Sequence, residues 1–320
     1  MQLYKLTIRS VSSFCSRLQS DTFFGAFCWS YKYIYGEPAL EAMLENAVQN
    51  KPAVIFSNAF PEGALPLPLG IVNLKQDFIG EASKAKGKAA YQLNKKFKKA
   101  EYIKVEFFQK MVQEQFSCHP EENYIAENVI IEQDTVRNMV NRSTGSVENM
   151  DGAGNLYAQT EYYCKTGRNL DVYIRSTMEE EELLKVLELM FLLGIGANKS
   201  VGKGRFEIES FQKAEELGTK TGANAYVILS NYIPRKEDAT NGYYSTFVKN
   251  PMVDREYATK GVPYKKPLLI VNSGSVFFSG DKEVQEYYGR CVSHVSSLSD
   301  KIVVSGYSLA VPIQITGGKS

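Results

Sequence analysis

The chain has 320 residues, enough for two domains of ordinary size, and its 44% hydrophobic and 23% charged residues are the mix of a folded globular protein. Lys plus Arg number 37 against 36 Asp plus Glu, a formal net charge of +1, so bulk attraction to polyanions is excluded and any nucleic-acid contact rests on local basic patches. The five cysteines (Cys15, Cys28, Cys118, Cys164, Cys291) are odd in number and form no C-x-x-C pair, which argues against a disulfide framework and a zinc site and fits a reducing cytoplasm.

In chain order, Leu3, Lys5, Thr7 and Arg9 alternate with Tyr4, Leu6 and Ile8, the pattern of a half-buried strand. The amino terminus lacks the apolar core of a signal peptide. Ser20, Asp21 and Thr22 then supply capping residues for an aromatic-rich helix through about Tyr35. Its Phe23, Phe24, Phe27, Trp29, Tyr31, Tyr33 and Tyr35 point all round at 3.6 residues per turn, so some face outward or meet another chain. The helix with the proline-rich stretch after it is expected to form a protein interface rather than an RNA platform, unless the second domain covers it. Pro52, Pro61, Pro66 and Pro68 make the next stretch mostly extended, with a short strand at Ala53 to Phe56. Eight lysines and one acid between Lys84 and Lys104 form the densest basic run, either a solvated surface or an RNA contact.

Asn128 to Thr135 and Leu156 to Tyr163 read as the strands of a long hairpin with a polar tip. Thr177-x-x-Glu180 reads as a capping box opening a helix so apolar, from Leu183 to Leu193, that it is expected to be buried on nearly all sides. Lys185 and Glu188 and its short length exclude a bilayer span, so no membrane is expected. A glycine loop and a strand, Arg205 to Phe211, follow. The order strand, helix, hairpin, helix, strand is that of a split β-α-β sheet, shared by RNA-binding RRM modules. After Phe211 a polar, glycine-containing stretch leads to a second, β-rich domain, with strands expected at Ala225 to Leu229, Gly242 to Val248, Leu268 to Asn272, Val276 to Ser279, Ile302 to Val304 and Ala310 to Ile315.

The loop GIGANKSVGKGRFEI, Gly194 to Ile208, imitates a nucleotide-binding P-loop but fails its spacing. Five residues rather than four separate Gly196 from Gly202, and Lys203 precedes Gly204 rather than Ser or Thr. It also leaves a helix and enters a strand, the reverse of a P-loop. With Gly196, Gly202 and Gly204 freeing backbone N–H groups and Lys199, Lys203 and Arg205 adding charge around Ser200, it suits a bent ribose-phosphate chain. One of its glycines can equally be a helix C-terminal residue in the left-handed conformation. Ser20, Asp21 and Thr22 serve as a plain helix cap or as a phosphate site, since helix N-termini bind both.

Chemistry is sparse. His119, in CHPEE, is the one candidate base for RNA cleavage through a 2′-hydroxyl, and a lone loop histidine beside a proline is more often structural. His294 belongs to no catalytic motif, and Glu179 to Glu182 simply complement a helix dipole. No metal-ligand spacing occurs, so neither a metal nor a cofactor is expected.

Four segments, SDTFFGAFCWSYKYIYG, FSNAFPEGALPLP, RNMVNRSTG followed by GNLY, and GIGANKSVGKGRFEI, resemble in their order the fourth-Csm-subunit family of type III-A CRISPR effector complexes, within the repeat-associated (RAMP) superfamily. GVPYKKPLLIVNSGSVFF is a C-terminal counterpart. The resemblance implies an α+β fold of two ferredoxin-like (RRM-like) domains, here 1–211 and 222–320, with the hairpin as a thumb carrying Arg137, Asn141 and Arg142 against the guide. It further implies no nuclease activity, a hold on the 5′ repeat-derived handle of the crRNA, and docking between the large polymerase-like subunit and the adjacent RAMP backbone subunit. A RAMP-type endoribonuclease and a purely structural adaptor are the rival readings.

Overall fold

In a computed structural model, which describes residues 1–70, 95–96, 99–113, 124–138, 140, 143, 145, 147, 156–219, 221–257, 261–280 and 282–315, the alternation of the first segment produces strand β1 (Gln2–Ser10). It pairs on one side with β10 (Phe206–Lys213) and on the other with β9 (Leu170–Ser176), which in turn pairs with β2 (Val54–Phe56) and β3 (Phe60–Pro61). All these pairs are antiparallel. The four longer partners stand in the order β10-β1-β9-β2, fourth, first, third and second in the chain, which is the split β-α-β arrangement.

Helices α1 (Ser20–Tyr35) and α2 (Glu37–Val48) connect β1 to β2, and α4 (Glu180–Leu193) connects β9 to β10. Tyr4, Leu6 and Ile8 share one face of β1, as a period of two demands, and join Phe23, Phe27, Leu187 and Met190 in a core between sheet and helices. Leu3 belongs to a different core, with Ile55 and Tyr173 of the same sheet and Ala225, Val227 and Leu309 from later in the chain.

Those later residues lie on a second antiparallel sheet, β12 (Gly242–Tyr243), β15 (Val276–Phe278), β11 (Ala225–Ile228), β19 (Ser308–Ile313) and β16 (Tyr287–Tyr288), in that order. The two halves therefore share one continuous core. Strand β13 (Thr246–Lys249) pairs with β14 (Leu268–Val271), and β17 (Cys291–Val292) with β18 (Val304–Ser305). A small sheet of β4 (Ala64–Pro66), β5 (Tyr102–Lys104) and β6 (Ile125–Ala126), with helix α3 (Val105–Gln113), flanks the first half. The hairpin is β7 (Ile130–Asn138) with β8 (Leu156–Cys164), paired from Ile130↔Cys164 to Asn138↔Leu156.

Three local expectations are corrected. Neither α1 nor α4 is capped by its own N-cap residue: Gln19 and Glu179 stand at those positions without a capping bond, Ser20 and Asp21 lie inside the first turn, and Ser20 N donates instead to Asn58 Oδ1 at 2.9 Å. Helix α4 buries one face, Leu183, Val186, Leu187, Met190 and Phe191, and leaves Leu192 70% exposed, because only the sheet and α1 cover it. The strand foreseen across Gly242 to Val248 is divided, its halves pairing with β15 and β14 respectively. Helix α2 is not among the elements expected from the sequence. Gly36 (φ +87°) ends α1 by donating to Lys32 O at 2.8 Å, and Pro38 starts α2 in the first turn, where its missing N–H costs nothing. Of the eight lysines of the basic run, Lys95, Lys96, Lys99 and Lys104 are described and the other four lie outside the described residues, as does His119.

Candidate nucleic-acid interface

The glycine loop folds around a left-handed Asn198 (φ +61°) into a single 3-10 turn, Lys199–Val201, before β10. Its backbone donors are mostly spent on the protein. Gly202 N donates to Lys199 O (3.0 Å), Lys203 N to Asn198 O (3.2 Å) and Gly204 N to Ser13 O (2.8 Å), so the expected anion nest of Gly202 and Gly204 amides does not form. Gly204 has a packing reason instead: at φ +71° a Cβ there would lie 2.0 Å from Ile195 O.

The segment after β1 lies along this loop. Arg205 N donates to Ser12 Oγ (3.1 Å) and Ala197 N to Ser16 Oγ (3.0 Å). The same segment holds the hairpin: Phe14 bridges Tyr162 through paired backbone bonds of 3.0 and 2.8 Å, and their rings stack at 5.6 Å. Where the three meet stands Glu161 of β8, whose side chain is only 1% exposed. Its carboxylate accepts from Lys203 Nζ (2.7 Å), Ser13 Oγ (2.9 Å) and Tyr163 Oη (2.9 Å) and pairs with the Arg137 guanidinium. The Lys203 bond first, then that of Arg137, holds its carboxyl well below the usual range, at about 2.

The loop's cations thus differ in availability. Lys203 is bound to Glu161 and Ser13, and Lys199 is paired with Asp254. Arg205 is exposed and, among the described residues, has no side-chain partner. Ser200 is exposed on the 3-10 turn, and Gly196 packs against Ser16, where a Cβ would approach Ser16 Cβ to 2.7 Å. Arg137 is brought to the same cluster, whereas Asn141 and Arg142 lie outside the described residues.

Ser20 and Asp21 are directed elsewhere. Ser20 Oγ accepts from Asn231 N (3.0 Å), and the Asp21 carboxylate takes Asn231 Nδ2 (2.8 Å) and Lys249 Nζ (2.7 Å), joining α1 to the second half. Thr22 Oγ1 bonds to Arg17 O at 3.3 Å. Sequence reasoning missed Ser12, Ser13, Ser16 and Glu161. The serine run between strand and helix was a visible signal, but nothing local marks Glu161 off from the other acids of the hairpin. No group of three or more His, Cys, Asp or Glu among the described residues is placed to hold a metal, and no described helix is long and apolar enough to cross a membrane.

No protein-family profile matches the chain, and no curated protein sequence does. Solved structures do, over almost its entire length. The Csm4 chain of a Csm1–Csm4 cassette in complex with pppApA shares 16% identity and a TM-score of 0.62, with 99% of this chain and 100% of that one covered. The chain has the Csm4 fold. The same cassette in complex with cA4 aligns at 17% identity and TM-score 0.62 over 98% of this chain and 100% of that one. A Csm3–Csm4 subcomplex of the type III-A CRISPR-Cas interference complex aligns at 15% and 0.61 over 98% and 99%.

Proposed function

We propose that this chain is the non-catalytic guide-RNA-binding subunit of a type III-A CRISPR interference complex. In this reading residues 1–211 and 222–320 are two ferredoxin-like domains, the second degenerate, and the β7–β8 hairpin is the thumb. The glycine loop with Arg205 and the hairpin base with Arg137 hold the 5′ repeat-derived handle of the crRNA, and the chain docks to a polymerase-like subunit of the Csm1 kind and to a backbone subunit of the Csm3 kind. The observation that carries the reading is the full-length likeness to Csm4 chains solved with Csm1 and with Csm3. The convergence of glycine loop, hairpin and serine segment on Glu161 supports it, because it presents two cationic elements as one rigid surface.

The test is co-expression with the neighbouring subunits and a repeat-spacer RNA. Guide RNA that copurifies with its 5′ handle protected from nuclease supports the proposal, and assembly without handle protection refutes it. Incubated alone with labelled repeat RNA, with or without divalent metal, the chain leaves the RNA intact. Cutting abolished by His119→Ala would establish the endoribonuclease instead.

A further inference from the structure

Beside the glycine loop stands an arginine that the hairpin and loop do not account for. Arg255 opens a 3-10 turn, Arg255–Tyr257, with φ +53°, a left-handed conformation that residues other than Gly, Asn and Asp seldom adopt. Its guanidinium carbon lies 5.7 Å from the centre of the Trp29 ring and 5.3 Å from that of Tyr33, both on α1. Its Nε is buried without a hydrogen bond, and its guanidinium pairs with no carboxylate among the described residues. The preceding residue, Asp254, pairs with Lys199 of the glycine loop and accepts from Arg255 N at 2.8 Å. A guanidinium with no carboxylate partner among the described residues thus lies beside two rings at the shoulder of the candidate interface.

Strain at an unusual backbone position persists when the surroundings hold it, and it clusters at ligand sites. A planar guanidinium already held beside two aromatic rings loses little freedom on binding and offers its outer N–H groups to an oxyanion as a fork. Lys32, 5.3 Å from the Trp29 ring and 3.5 Å from Glu37, adds a further cation, and Tyr33 remains 54% exposed. Cations beside an open aromatic ring are the combination that holds single-stranded nucleic acid, charge taking the phosphate and the ring face a base. We infer that Arg255, held by Trp29 and Tyr33, is a further phosphate-binding residue for the single-stranded RNA that passes the glycine loop, and that the exposed ring of Tyr33 takes the adjoining base. This rests on the RNA-binding reading above and extends its surface from the loop onto α1.

The experiment measures binding of a labelled single-stranded RNA of the repeat-derived handle sequence to the full-length chain across a salt series. Arg255→Asn, which suits the left-handed backbone, is expected to weaken binding about tenfold and to lower the salt slope by about 0.7. Arg255→Lys keeps the slope and loses part of the affinity, and Tyr33→Ala weakens binding with the slope unchanged. Should Arg255→Asn melt below the assay temperature, Arg255→Lys and Tyr33→Ala decide. Wild-type binding by the Arg255 variants, while Arg205→Ala loses affinity, overturns this inference and leaves the RNA-binding reading standing. Wild-type RNA binding with lost coassembly with the large subunit also overturns it, making Arg255 a protein contact. A wild-type chain that binds no RNA overturns both.

Discussion

Lys203 of the glycine loop and Glu161 of the hairpin, 42 positions apart in the chain, are joined by a 2.7 Å ion pair on a carboxylate that is 1% exposed. Arg137, Ser13 and Tyr163 complete the cluster, so the loop, the hairpin and the segment after β1 are tied to one carboxylate. Glu161→Ala leaves two half-buried cations without their shared partner. It is expected to destabilise the chain by about 2–4 kcal/mol, with Glu161→Gln nearer about 1–2 kcal/mol because the amide oxygen still accepts one bond. Chemical denaturation checks both; equal stability of Glu161→Ala and wild type would show the cluster to be incidental.

The low pKa of Glu161 makes this contribution pH-dependent. Its folded-state value, about 2, lies below that of an unfolded glutamate, so the ionised form is favoured by folding and its stabilisation is full above pH ~4.5. The stability gap between wild type and Glu161→Gln should narrow as pH falls from about 4.5 towards about 2. A gap constant over that range would mean that the carboxylate gains nothing from Lys203 and Arg137.

Gly202 and Gly204 have similar left-handed backbones, φ +83° and +71°, but different surroundings: a Cβ on Gly202 meets nothing within 4 Å, and one on Gly204 meets Ile195 O at 2.0 Å. Gly202→Ala should cost about 1 kcal/mol, the strain of the conformation alone. Gly204→Ala adds a backbone clash and should cost about 3 kcal/mol or more, lowering Tm accordingly. Comparable melting temperatures for the two would contradict the close approach.

Arg205 is exposed and without a side-chain partner among the described residues, so Arg205→Ala should leave stability within about 0.5 kcal/mol of wild type while weakening handle-RNA binding and lowering its salt slope by about 0.7. Lys203→Ala should lose both stability and RNA affinity, since its ammonium holds Glu161. Filter binding at several salt concentrations, paired with thermal melts, separates the two; identical profiles would remove the distinction.

Asp21 is expected to behave as a structural residue. Asp21→Ala removes the carboxylate partner of Lys249, which keeps only Gln19 Oε1, and an acceptor of Asn231, and should destabilise by about 1–3 kcal/mol, with RNA affinity unchanged for the folded fraction. Lost RNA affinity in a variant as stable as wild type would restore the phosphate reading of the α1 N-terminus.

How much of this was legible in the sequence follows from the range of each interaction. The β1 alternation, the aromatic helix to Tyr35, the two hairpin strands and the helix-to-strand setting of the glycine loop are local patterns, and their outlines agree with the elements seen. Failure of the P-loop spacing was equally local. The capping residues were misassigned because Ser, Asp and Thr favour both caps and long-range bonds; Ser20 and Asp21 are bonded to Asn231 and Lys249, more than 200 positions away.

The sequence by itself determined where the glycines, cations and aromatic residues stand along the chain. Which cations remain available was decided by the tertiary structure alone. A lysine reads the same whether it meets water or Glu161, and only chain packing brought Lys203 to Glu161 and Lys199 to Asp254 while leaving Arg205 exposed and Arg255 beside two rings. Charge pairing depends on distance in space and on exclusion of water, and neither quantity is written in the order of residues.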